Sequence, residues 1–200
     1  MEHNRIALIA SLDTKLQETL YAKHEIESCG GQGLIIDIST KTLMDAGAAV
    51  GPADILARYG MTWEEFGPLD KAQSIETMSN ALTAVMPALY AEGLFDAVIS
   101  IGGGQNARMA AAAMKSLPFG VPKIVASSLA CGRRTMEQYV GDKDIMVVHT
   151  VADISGLNYT TKTVIHNVCH AALGMLQYQR QVTPDSRKKI AATMLGITSK

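Results

Sequence analysis

Aromatic side chains are scarce, at 5% of 200 residues. That leaves little from which to build a base-stacking platform for single-stranded nucleic acid. Net charge is almost absent too. Eighteen Lys and Arg against nineteen Asp and Glu give −1, so there is no general pull toward nucleic acid or an anionic membrane, and any anion site must be local. The three cysteines, Cys29, Cys131 and Cys169, are odd in number, widely spaced and without a CxxC pair. Reduced thiols in the cytoplasm are the expectation. No apolar run approaches the roughly 20 residues needed to span a bilayer. The opening MEHNRIALIASLDTK has only a strand-length apolar run followed by charge, unlike a secretory leader. GxGxxG, the Walker loop and the GxSxG elbow are all missing.

What remains is a chain with 48% hydrophobic and 18% charged residues, a globular composition. Short β-rich runs alternate with longer helical patterns. RIALIASL (5–12), GLIIDIS (33–39), FDAVISI (95–101), KIVASSL (123–129), IMVVHTV (145–151) and KKIAATML (188–195) read as strands. Helices are expected over 15–29, over 70–93, over ARMAAAAMKSL (107–117) after the glycine turn and ending near Pro118, and over 162–181, with a kink or restart at Pro87. Residues 42–69 show no clear period and suit two short helices at most. The strands are near-continuous apolar runs, which implies both faces are covered: an α/β fold with an open, mostly parallel sheet and helices on both faces. The last strand-like run reaches GITSK and stops. It reads either as a sheet-completing strand or as the start of a further βα unit.

In such a sheet, ligands bind beyond the carboxyl ends of the strands. Five turns there carry cations beside hydroxyls, amides or glycines: Asp13-Thr14-Lys15; Ser39-Thr40-Lys41; Gly102-Gly103-Gly104 with Gln105, Asn106 and Arg108; Ser127 to Arg134, including Cys131 and Gly132; and Asp153-Ile154-Ser155-Gly156-Leu157-Asn158 with Lys162. The shared character is a positive, donor-rich rim suited to phosphate or carboxylate. Asp13 or Thr14 can cap the first helix. Lys15 then falls in its first turn, where the helix dipole disfavours a cation; an anion between the two would account for it. The three glycines permit positive φ and close backbone approach. Lys15, Arg108 and Arg133 would offset anionic charge, and Ser127, Ser155 and Asn158 would orient the guest.

Other residues carry weaker signals. Asp37 lies in an apolar strand roughly twenty residues past the first turn, as a ribose-binding acid does in dinucleotide folds; a buried acid capping a neighbouring loop fits equally. His166 and His170 fall one turn apart with Cys169 beside them, but no third ligand has telling spacing, so no metal site is expected. Asp142, Asp144 and Asp153 are candidates for Mg2+ accompanying a phosphate. Cys131 before Gly132 could be a thiol at a helix start. Met78, Met86 and Met175 suit core packing or a self-association surface.

Taken in order, LDTK, the GG turn, LPFGVPKIVAS, YVGDKDI, VADISGLN and HNVCHAALGM resemble the amino-terminal domain of the tomato mosaic virus resistance protein family and its uncharacterised bacterial and fungal relatives. The resemblance implies a Rossmann-like domain that binds ATP; in the plant protein the domain acts by binding a viral replication protein. Nucleotide contacts would map to Thr14, Lys15, Gly102, Gly103, Gly104, the Ser127 and Gly132 segment, and the DISGLN segment. TMLGITSK resembles the opening of a second α/β subdomain, which divides the chain into 1–182 and 183–200. Here the glycine turn reads GGGQNA where the family's reads like GGSGGT, and Leu16 follows LDTK where the family has Gly, so a smaller anion or another nucleotide stays open. The combined expectation is a cytoplasmic, dimeric domain binding a nucleotide or phosphate ligand, with ATP and Mg2+ as the implied cofactors. An assembly module with a vestigial pocket, or part of a hydrolase or lyase for a small anionic metabolite, are the alternatives.

Overall fold

A computed structural model of the chain describes residues 4–131 and 139–178. Its elements are β1 (Arg5–Ala10), α1 (Leu12–Ser28), β2 (Gln32–Asp37), α2 (Pro52–Tyr59), α3 (Trp63–Phe66), α4 (Lys71–Ala91), β3 (Ala97–Gly102), α5 (Gly104–Lys115), β4 (Lys123–Ser127), β5 (Met146–His149) and α6 (Tyr159–Gln177). The five strands form one sheet in the order β2-β1-β3-β4-β5, and every pairing is parallel. The expected strand at 188–195, and with it the proposed second subdomain, lies outside the described residues.

Alternate residues of each strand feed two separate cores. Ala7, Ile9, Ile36, Val98 and Val125 face α2, α3, α4 and α5, where Leu56, Phe66, Leu82, Met86 and Met114 are buried with them. Ile6, Leu8, Ile35, Ile99 and Ile124 face α1 and α6, meeting Ala22, Ile26, Ile165, Val168 and Cys169. Helices cover both faces, which is why the strands are apolar throughout rather than alternating. Met78 and Met86 are fully buried, and Met175 packs against the second core. Their use is packing, and the surface that would have supported self-association through the first two is not there.

Two helices depart from expectation. α1 starts at Leu12 with Ser11 as N-cap, not Asp13 or Thr14, and breaks at Lys15 (φ −132°, ψ 27°). α4 runs through Pro87 without a restart. Pro87 is exposed while Val85, Met86 and Leu89 beside it are buried, so water can take the carbonyl freed by the missing N–H and packing keeps the helix whole.

The amino edge of the sheet is held by ion pairs. Arg5 bridges to Asp96 at 3.0 Å. Lys123, fully buried, donates from Nζ to the carbonyls of Pro118 (2.9 Å) and Val121 (2.8 Å) and pairs with Asp144 at 2.9 Å. Burial pushes the Asp144 carboxyl up, but the Gly120 N–H and Lys123 outweigh it and hold the carboxyl below its usual range.

Candidate functional site: a lysine-lined cleft at the strand-order reversal

Parallel strands end together, so all the candidate turns lie on one edge. The strand order reverses between β1 and β3, and there the helices that follow these two strands diverge to opposite faces of the sheet. A cleft of about 290 Å³ opens at this point, lined by Ser11, Asp13, Thr14, Lys15, Thr40, Lys41, Lys71, Gly103, Gly104, Gln105 and Asn106. Three lysines face one carboxylate. Lys15 and Lys71 form no salt bridge among the described residues; Lys41 contributes its charge and backbone N–H to Asp13. Burial and the charge of Asp37 raise the Asp13 carboxyl above its ordinary value, while the N–H groups of Lys41 and Thr40 and the Lys41 charge pull it back.

The two helix starts at the reversal are not alike. At α1 the donors are already used: Ser11 N–H donates to Asn106 Oδ1 (3.1 Å), Leu12 N–H to Asp37 Oδ1 (3.1 Å) and Asp13 N–H to Ser39 Oγ (3.0 Å). Asp37 is fully buried and also accepts from the Ser39 N–H (2.9 Å). It ties the end of β2 to the start of α1, so the loop-capping reading holds and the ribose reading does not. The anion at the start of α1 is therefore the protein's own. At α5, by contrast, the backbone N–H groups of Gly104, Gln105 and Asn106 have no partner among the described residues, and Gly103 as N-cap supplies no side chain. This is the helix start left open to a guest.

The glycine turn works differently from its sequence reading. None of the three glycines has positive φ. A Cβ on Gly102 would stand 2.9 Å from Asn106 Nδ2, because Asn106 folds back under the turn, donating to Ser100 Oγ (2.8 Å) and Ile9 O (3.5 Å). A Cβ on Gly104 would meet Leu129 Cδ1 at 2.2 Å. Only Gly103 faces open space, with nothing within 4 Å. Two glycines make room for the protein's own side chains, and one presents bare backbone to the cleft.

Of the expected site residues, the fold brings Thr14, Lys15, Gly103, Gly104 and Asn106 to the cleft, while Gly102 lies just behind it. The β4 and β5 turns sit on the same edge but are engaged elsewhere. Ser127 is buried, its Oγ accepting from the Leu129 N–H (3.2 Å). Asp153 accepts from Ser128 Oγ (3.3 Å). Gly156 N–H donates to Glu18 Oε1 of α1 (2.8 Å), and Asn158 caps α6, accepting from the Thr161 N–H (3.0 Å). Ser155 and Arg108 are exposed and outside the cleft lining. Gly132 and Arg133 lie outside the described residues. Asp142 and Asp144 fall away from the cleft, Asp144 being the partner of Lys123 on the amino edge, so neither can hold a magnesium ion at this site. Lys71 escapes a reading confined to post-strand turns, since it opens α4 behind the Asp70 cap. The signal that marks Lys15, a cation at a helix start, is nevertheless present there too.

A parallel sheet of this order, with helices on both faces and an anion-suited cleft at the reversal, defines a doubly wound, Rossmann-like α/β domain. Residues 4–181 match the model of the Uncharacterised protein family (UPF0261) N-terminal domain, and the chain belongs to that family. It is 29% identical over 199 residues to a UPF0261 protein of Clostridium tetani, covering 99% of this chain and 49% of that protein. It is 30% identical over 203 residues to one of Mesorhizobium japonicum, covering 98% and 48%. Over 217 residues it is 26% identical to the ToMV resistance protein Tm-1(GCR237) of Solanum lycopersicum, covering 98% of this chain and 28% of that protein. The chain thus spans about half the length of these bacterial relatives. Among the described residues, no helix is long and apolar enough to cross a membrane.

Proposed function

We propose that the cleft between β1 and β3 binds the phosphate groups of a nucleotide, with ATP the first candidate. The observation that carries this reading is the pairing of three lysines with the open start of α5. Lys15, Lys41 and Lys71 converge from three elements on a space where the N–H groups of Gly104 and Gln105 are unsatisfied. Cations and backbone donors aimed at one point are what a phosphate requires. A cleft of about 290 Å³ is at the lower end of small-molecule sites. It suits the phosphate chain, with the base and sugar lying outside. Asp13 would be the group to hold a magnesium ion, since it is the one carboxylate in the lining.

The test is thermal melting with ATP, tripolyphosphate and sulfate, each with and without magnesium. Ligand at about 100 times Kd stabilises by about 2.7 kcal/mol. Lys15→Ala is expected to abolish the shift while leaving the unliganded melting point within a degree or so. Gly103→Val should do the same by a different route: its Cβ meets nothing in the folded chain, so only the guest is obstructed. Absence of a shift with every one of these anions would defeat the proposal.

A further inference from the structure

A second cluster lies on the opposite end of α1, about 15 Å along the helix from Lys15 at 1.5 Å per residue. α1 and α6 pack side by side over the same core. At their outer seam Glu25 of α1 meets His166 and His170 of α6, and one ligand-type atom from each lies within 4.8 Å of the others. His166 Nδ1 is 2.8 Å and His170 Nε2 4.0 Å from the same oxygen, Glu25 Oε2. The imidazole rings are 4.0 Å apart between centroids. Cys29, just past the end of α1, places Sγ 3.6 Å from His170 Nε2.

A single His–Glu hydrogen bond would explain one of these approaches. It does not explain why a second imidazole stands at the same carboxylate oxygen, with a thiol against that second imidazole. A tetrahedral ion with bonds of about 2.0–2.3 Å holds its ligand atoms roughly 3.3–3.7 Å apart; the Glu25–histidine distances bracket that range, and the exposed Cys29 side chain, at His170 but outside the cluster of three, would turn in to complete the set. The donor set of two imidazoles, a carboxylate and a thiol matches zinc rather than magnesium or calcium, which take oxygen. An outer partner is also present: the Tyr21 hydroxyl hydrogen-bonds Glu25, the kind of contact that orients a ligating carboxylate. Cys169, the cysteine beside the histidines in sequence, is not part of this. It is buried, its thiol points to Ala22 O at 3.6 Å, and burial pushes it up to about 12.

We propose that Glu25, Cys29, His166 and His170 form a site for a zinc-class divalent ion that staples α1 to α6. The site is independent of the phosphate cleft, and the ligands come from two helices so that the ion cross-links them.

The test uses the untagged 200-residue chain, stripped with a chelator and titrated with Co2+ as a spectroscopic stand-in for zinc. One equivalent is expected to bind with the visible absorption of tetrahedral cobalt and a near-ultraviolet thiolate band, both erased by zinc. Zinc, but not magnesium, should raise the melting temperature. Cys29→Ser should remove the thiolate band and keep the visible bands, whereas Cys131→Ser should change neither. His166→Ala and Glu25→Gln should each weaken binding at least tenfold. Both positions are on the surface seam, and matching circular dichroism spectra check that the variants are folded. The proposal is overturned if cobalt binds parent and His166→Ala/His170→Ala chains alike, or if the bound ion shows octahedral absorption with no thiolate band.

Discussion

Asn106 does more for the site than any residue that points into it. Its buried amide takes the Ser11 N–H, reaches Ser100 Oγ and lies within reach of Ile9 O, so it joins the tips of β1 and β3 where no strand-to-strand bond remains. Asn106→Ala would strand these partners, at about 1–3 kcal/mol for a buried group left unpaired. Urea denaturation should show that loss, with the binding defect following from the loosened turn. Asp13 is the opposite case, a charge that opposes the guest. Its raised pKa means that the folded state holds the proton more tightly than the unfolded chain, so its penalty is absent at low pH and grows as pH rises through the folded value above 3.8. Sulfate, which does not titrate in this range, should therefore bind more tightly as pH falls through that value. Asp13→Asn should bind sulfate several-fold more tightly at pH 7 and remove this pH dependence, as measured by calorimetry.

At the scale of elements, the amino and carboxyl edges of the sheet have separate tasks. The amino edge is locked by buried Lys123 and Asp144. Asp144→Ala leaves the buried ammonium with only the Pro118 and Val121 carbonyls, and because Asp144 itself is solvent-exposed the loss is expected at about 1–3 kcal/mol. Because the Asp144 carboxyl is held below 3.8 when folded, its contribution is present above that value and lost as pH falls through the lower, folded one. The parent should therefore lose stability on acidification below about pH 4, and in the Ala variant that slope should be shallower. Strand and helix positions were legible in the sequence, because apolar runs of strand length and an Ala-rich helix after a glycine turn have few other solutions. The start of α1 was not. Which side chain caps α1 depends on Asp37, Ser39 and Asn106, residues distant in sequence that only strand pairing brings near. The three glycines were visible, yet their separate reasons rest on Asn106 and Leu129, which no local pattern discloses.

For the molecule as a whole, the decisive fact is topological. A cleft lies at β1 and β3 because only there do neighbouring helices part, and this explains why half of the residues expected at the site fall outside it. The β5 turn shares the edge but packs onto α1 and α6, through Glu18 to Gly156 and through the Asn158 cap, and the β4 turn seats Leu129 against Gly104 of α5. Cations on post-strand turns indicate the correct edge; the place along that edge requires the strand order. The third ligand of the histidine pair was hidden for a similar reason, since Glu25 is 141 residues from His166.

The break at Lys15 has a mechanical meaning. The residues beyond it are clamped, with Glu18 holding Gly156 and Ile26 sunk in the core, while those before it are fastened to β2 and α5. The kink lets the two parts of the rod take separate directions, each set by its own partners. Occupancy at one end of α1 and any ion at the other should accordingly be felt independently.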